Sequence, residues 1–201
     1  MNAGVMPPLV ERFVRRFPKV RLHVAYAETG AGQFQLLRER RVDLVVGRLP
    51  EDSGEEDLAV ERLFDEPFLA FAALRSPLAR RRRVALADLM DEAWTLPPYD
   101  SVPGVLIAGI FRAGGLEPPR PSVVTLSANL SAALVGTGNF VGLLPRSVLH
   151  FSAERLSLKA LPVELPDTRI SVSIITVRRR TLSPLAELFI RCAREVAKPL
   201  S

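Results

Sequence analysis

Few residues in this 201-residue chain combine a reactive side chain with a setting that could use it. Arg48 closes the stretch Val42-Asp43-Leu44-Val45-Val46-Gly47-Arg48-Leu49-Pro50, in which an apolar run is bounded by Gly47 and Pro50. That pattern predicts a short strand buried on both faces of a parallel sheet, and in open α/β sheets ligands lie beyond the carboxyl ends of such strands. Gly47 would let a ligand reach the backbone, and Arg48 could clamp a carboxylate through two parallel N–H groups. The plainer alternative is a core strand running into an ordinary Gly/Pro turn. Because Arg48 lies past the strand, its truncation is expected to leave folding nearly unchanged. Ser101 and Ser127 each precede a helical pattern, where unpaired N–H groups and the positive end of the dipole favour an anion. The alternative there is that each serine only caps its own helix.

Catalytic sets are not apparent. His23 alternates within a strand-like run and His150 follows Val148-Leu149, so both read as structural rather than as general bases. The acidic pairs Asp65-Glu66 and Asp91-Glu92 read as solvated loop residues. No Gly-x-Ser-x-Gly elbow, phosphate-binding loop or Cys/His metal spacing occurs, so neither enzyme activity nor a metal or cofactor is expected. The single cysteine, Cys192, cannot form an internal disulfide and reads as a core filler.

The elements that would position these residues follow from periodicity. Leu9, Val10, Phe13, Val14 and Phe17 share a helical face behind Pro7-Pro8, with Arg12, Arg15 and Arg16 opposite. Val20, Leu22 and Val24 alternate as in a strand, Glu28-Thr29-Gly30-Ala31-Gly32 turns into a helix with Phe34, Leu37 and Arg38, and the strand of Asp43 to Val46 completes a parallel β-α-β unit. Strands are expected at Leu58 to Leu63, Phe68 to Leu74 and Trp94 to Leu96, with a short helix at Leu86 to Met90. The strand at Trp94 stops at Pro97-Pro98, where a boundary between lobes is placed. A helix over Gly104 to Ala113 and a second β-α-β unit follow: strand Ser122 to Leu126, a helix capped by Ser127, and strand Phe140 to Pro145. Strands at Leu158 to Val163 and Ile170 to Val177 precede a last helix behind Ser183-Pro184.

Hydrophobic residues make up 48% of the chain, ample for a packed core, and no apolar run is long enough to span a bilayer. With no secretory signal pattern at the N-terminus, a cytoplasmic location is expected. The net charge is +5, and Arg80 to Arg83 supply four of those charges. This run and Arg178-Arg179-Arg180 read as solvated loops, because only 6% of residues are aromatic and none interleaves with them as a base-stacking surface requires.

Seven stretches in register resemble the effector-binding domain of LysR-type transcriptional regulators. They are Leu9 to Phe13 with Phe17-Pro18, Val42 to Pro50, Phe64-Asp65-Glu66-Pro67, Ser76-Pro77-Leu78, Leu89 to Trp94, Val141 to Arg146, and Leu182 to Leu185. The resemblance implies an α/β, two-lobed fold like that of type 2 periplasmic binding proteins: two Rossmann-like lobes, with the chain crossing between them twice. Lobe I would comprise residues 1–93 and 167–201, and lobe II residues 94–166. It further implies a cleft lined by Asn2, Ala3 and Gly4, by Thr29 and Gly30, by Gly47, Arg48 and Leu49, by Pro98, Tyr99 and Ser101, by Ser127 and Asn129, and by Gly142 and Leu143. The expected partners are a small-molecule effector, an organic acid or a sugar, and a second copy of the chain, with tetramers when full-length. DNA would be bound only through the family's helix-turn-helix domain, which the sequence lacks, as it lacks the family's first strand. A periplasmic solute receptor of the same fold is the competing reading, and an enzyme on this scaffold ranks third.

Overall fold

Serine followed closely by proline sets where several helical segments begin. Ser183 caps α6 (Pro184–Ala197) through Oγ, which accepts the Ala186 N–H at 3.1 Å. Ser101 caps α3 (Val102–Ala113), and Ser76 caps the short 3-10 turn Pro77–Arg80 in the same way. Proline in the first turn gives up an N–H that would have no partner there, and its fixed φ suits the helix. Pro7 and Pro8 do the same for α1 (Met6–Arg16).

The computed structural model describes residues 4–25, 34–48, 54–166 and 170–201. Its remaining elements, in chain order, are α2 (Gln35–Arg38), β1 (Val45–Gly47), β2 (Leu58–Glu66), β3 (Phe68–Ala73), a 3-10 turn (Leu86–Leu89), β4 (Trp94–Leu96), β5 (Val123–Val124), α4 (Ala128–Gly136), β6 (Val141–Pro145), α5 (Arg146–Leu156), β7 (Leu158–Ala160), β8 (Ile170–Val177) and a 3-10 turn (Lys198–Leu200). They fall into two compact units. One comprises Met1–Gly4 with Pro67–Arg169, the other Val5–Glu66 with Ile170–Ser201.

The second of these units is built on a three-stranded antiparallel sheet in the order β1-β8-β2. Phe34, Leu37, Leu58 and Ile175 form its core beneath α2. Elsewhere α1 and α6 meet through Phe13, whose ring lies 5.2 Å from that of Phe189. Arginines staple the elements together: Arg194 grips Glu61 with two bonds of 2.6 and 2.8 Å, and Arg38 grips Asp57 with two of 2.8 Å. The run at 178–180 works inward as well, since Arg178 donates to the Leu58 carbonyl and Arg180 to that of Leu37.

The unit containing Pro67–Arg169 carries a mixed five-stranded sheet in the order β5-β4-β6-β3-β7. Strands β5, β4 and β6 are mutually parallel, and β3 runs against both β6 and β7. Phe71, Val135, Leu144, Val148 and Leu158 pack on one another here. Trp94 is fully buried, donates Nε1–H to the Leu89 carbonyl at 2.8 Å, and stands edge-on to Phe111 at 5.4 Å.

Several sequence expectations hold: β8 spans Ile170–Val177 as read, the second β-α-β unit is parallel, and Cys192 is buried. Others do not. Val20 to Val24 form no strand, and Val24 is 52% exposed. Alternation alone cannot make a strand where no neighbour takes its hydrogen bonds. β1 is antiparallel to β8 and, among the described residues, at the sheet edge, with Val45 and Val46 only partly buried, so it is not the doubly covered parallel strand expected. The first β-α-β unit is therefore not formed among the described residues, and Glu28 to Gly32 lie outside them. Helix α5 was missed because its cap position is Pro145, which offers no side-chain signal. The lobe boundary drawn after residue 93 differs from the strand pairing, which joins β3 to β6 and β7 and carries the chain between units at Glu66–Pro67.

The arginine staples hold Asp57, Glu61 and Glu195 below the ordinary carboxylate range, chiefly by hydrogen bonds from Arg38, Arg194 and Arg12 respectively. A depressed folded-state pKa contributes stability above the unfolded value, and that contribution is lost as pH falls through the folded value. Arg194→Ala should therefore lower the melting temperature at neutral pH and have a smaller effect near pH 3, as measured by circular dichroism melts at both.

Candidate functional site

Arg48, read from the sequence as either a carboxylate clamp or a turn residue, follows a strand end that is held in the sheet. Gly47 is buried and pairs with Ser173 of β8, so the residue after it is held against the sheet and is mostly buried itself. Glu66, the last residue of β2, is 1% exposed. Burial lowers the Arg48 pKa from the ordinary arginine value, and the nearby Glu66 carboxylate opposes that shift. The guanidinium stays charged, as arginine does in proteins. Asp65, beside Glu66, accepts a hydrogen bond from Ser171 Oγ at 3.0 Å. These acids are thus structural members of β2 rather than solvated loop residues. Arg48 is a partly buried cation within the field of a buried carboxylate, and a cation held in the chain this way is suited to recognition of an anion.

In the other unit the helix starts resolve what each serine can still offer. Ser101 Oγ accepts the Gly104 N–H at 3.2 Å and donates its proton to the Pro98 carbonyl at 2.5 Å. Its hydroxyl is therefore committed twice within the chain. Pro103 has no N–H, which leaves the start of α3 with little to give an anion. A side chain at Gly104 would collide with the Pro98 carbonyl, so this close approach requires glycine. Ser127 Oγ accepts the Leu130 N–H at 3.2 Å and has no acceptor for its proton among the described residues. At the start of α4 the exposed Ser127 hydroxyl and the backbone N–H groups of Ala128 and Asn129 remain as donors, at the positive end of the dipole. The exposed Asn129 side chain sits one residue further on.

The remaining predicted residues separate by environment. Tyr99 is partly buried, its hydroxyl donates to the Pro119 carbonyl at 2.6 Å, and burial pushes its pKa up. Pro98 is partly buried and serves as the acceptor for Ser101. Gly142 and Leu143 are buried in β6, where the absence of a side chain at 142 makes room for the Phe71 ring. Gly4 packs against Ser147, leaving no space for a Cβ. Asn2, Ala3, Thr29, Gly30 and Leu49 lie outside the described residues. Gly4, Pro98, Tyr99, Ser101, Ser127, Asn129, Gly142 and Leu143 fall in one unit, and Gly47 and Arg48 in the other. Sequence reasoning missed Glu66, whose adjacency to Pro67 suggested a loop. His23 and His150 are both exposed. Among the described residues no group of acidic, histidine or cysteine side chains could hold a metal ion.

Residues 1–198 match the family described as the LysR substrate binding domain. The chain belongs to that family. A relative within it is the transcriptional dual regulator GltC of Bacillus subtilis, 29% identical over 194 residues, covering 94% of this chain and 62% of GltC. The chain thus spans about three fifths of the length of such curated relatives. Among solved structures, the BenM effector binding domain with its effector benzoate is 25% identical with a TM-score of 0.72, covering 98% of this chain and 87% of that one. The effector binding domain of QuiR in complex with shikimate shares the fold at 18% identity and a TM-score of 0.67, covering 96% and 90%. As a LysR substrate-binding domain, the chain has the α/β, two-lobed type 2 periplasmic-binding-like fold. The LysR relatives are transcriptional regulators rather than enzymes, and no described helix is long and apolar enough to cross a membrane.

The buried Glu66 near Arg48 alters the outcome expected from the sequence for Arg48. Arg48→Ala should destabilise the protein by about 1 kcal/mol or more, because a buried carboxylate loses a nearby opposing charge. Adding Glu66→Gln should recover part of the loss. Urea unfolding of wild type, both single variants and the double variant measures the coupling, and additive effects would show that the two groups act independently.

Proposed function

We propose that this chain is the sensory part of a transcriptional regulator: a small organic acid binds it, and binding shifts the arrangement of DNA-binding domains carried elsewhere in the assembled protein. The observation that carries this reading is the set of donors left uncommitted at the start of α4, the Ser127 hydroxyl with the N–H groups of Ala128 and Asn129. Three convergent donors at a positive helix end suit a carboxylate. In the other unit Arg48 is a separate, partly buried cation suited to an anion. The relatives named GltC and GbpR support the regulatory role, and the benzoate and shikimate complexes of BenM and QuiR support an acid over a neutral sugar. Homodimerisation, a cytoplasmic setting and the absence of catalysis complete the reading. Among the described residues neither histidine lies in a buried, partnered setting of the kind a general base needs.

A panel of small organic acids and sugars, screened by thermal shift, identifies the ligand class. Saturation at 100 times the dissociation constant corresponds to about 2.7 kcal/mol of stabilisation. Ser127→Asp then tests the site without losing the helix cap, since aspartate caps as well as serine and suits the dipole. It should leave the melting temperature nearly unchanged while weakening the bound acid at least about tenfold, because a carboxylate replaces the donor. Unchanged acid affinity in that variant would remove the start of α4 from the site.

A further inference from the structure

The run Arg80-Arg81-Arg82-Arg83 is presented rather than merely exposed. Ala79 and Val84 on either side are each 2% exposed, whereas all four arginines between them are exposed. Both ends are pinned: Lys159 Nζ donates to the Ala79 carbonyl at 2.8 Å, the Arg81 N–H to Leu78 O at 3.2 Å, and the Val84 N–H to Pro162 O at 3.2 Å. Among the described residues none of the four guanidinium groups has an ion pair or hydrogen bond, in contrast to Arg12, Arg38 and Arg194, each matched by a carboxylate. Asp88, the nearest acid in sequence, is engaged by the Ala85 N–H at 3.0 Å. The run also supplies four of the chain's five net positive charges.

Four adjacent like charges repel one another, and a fixed backbone prevents them from spreading. Such an arrangement becomes favourable when an extended anion neutralises it. Arg81 has extended backbone, with φ −69° and ψ 143°, while Arg80 ends the 3-10 turn and the chain bends at Arg82. At no more than about 3.1 Å per residue the strip is at most about 10 Å long, comparable to a few phosphates along one DNA strand. No aromatic residue stands within the run, so bases would not stack on it.

We propose that Arg80 to Arg83 form a sequence-independent contact for the phosphate backbone of duplex DNA, so that the sensory unit itself touches the DNA on which the regulator sits. The proposal rests on the regulatory reading above, but its chemistry does not involve the effector. Neutralising three to four phosphates gives a slope of log affinity against log salt of about −2.7 to −3.6, or roughly 40- to 150-fold weaker binding between 50 and 200 mM salt.

Fluorescence anisotropy of the chain with a labelled 30-base-pair duplex of arbitrary sequence, taken across that salt range, reads the slope directly. Arg81→Ser with Arg83→Ser should weaken binding at 50 mM salt about tenfold or more and flatten the slope by about 1.8. Arg112→Ser with Arg120→Ser, which removes the same charge from other exposed positions of the same unit, should leave both nearly unchanged. Equal losses in the two variants would reduce the effect to net charge and overturn the proposal. Salt-independent binding, or an acidic peptide that binds where the duplex does not, would overturn it too. Organic-acid binding unaltered by either variant keeps this outcome separate from the fate of the proposed effector site.

Discussion

Burying Glu66 commits the chain to keeping a cation beside it. A carboxylate at 1% exposure is costly unless compensated, and Arg48, just past β1 in the same unit, is an opposing charge whose field reaches it. The next residue is Pro67, where the chain leaves one unit for the other. The residue that reads from the sequence as a ligand clamp therefore also bears on the stability of the buried carboxylate at the end of β2.

The helix starts show how little polar chemistry is left over once the fold has been satisfied. Capping uses one lone pair of each serine. Ser101 then gives its proton to Pro98, and Pro103 removes a further N–H, so α3 is chemically closed at that end. α4 begins with Ala128 and Asn129 instead, and the donors that α3 lacks are present there. Two serines that look alike in the sequence are thus different in what they can do. What separates them is a backbone carbonyl and the position of one proline.

Much of the fold was legible because the governing forces are local. Ser-Pro pairs and apolar periodicity placed α3, α6 and β8 close to where they stand. Legibility ended where the deciding partner was distant in sequence. Val20 to Val24 have strand spacing but no paired neighbour, β1 lies against a strand some 130 residues away, and Glu66 is buried although its sequence neighbours suggest a turn. The basic run at 178–180 was read as solvated because carbonyl acceptors leave no trace in sequence, and the Leu37 and Leu58 carbonyls that hold it are those of ordinary leucines. Family resemblance placed the candidate cleft residues in groups, but only the hydrogen-bond inventory distinguished the committed Ser101 from the available Ser127.

The proposed recognition of a small acid rests on the donors at the start of α4. Titration of the isotope-labelled chain with benzoate, shikimate and related acids, followed by nitrogen–proton correlation spectra, tests it at the atoms concerned. Saturable shifts of the Ala128 and Asn129 amide signals with a single dissociation constant are expected for whichever acid binds. A bound acid that moves other amides and leaves these two signals in place would contradict it.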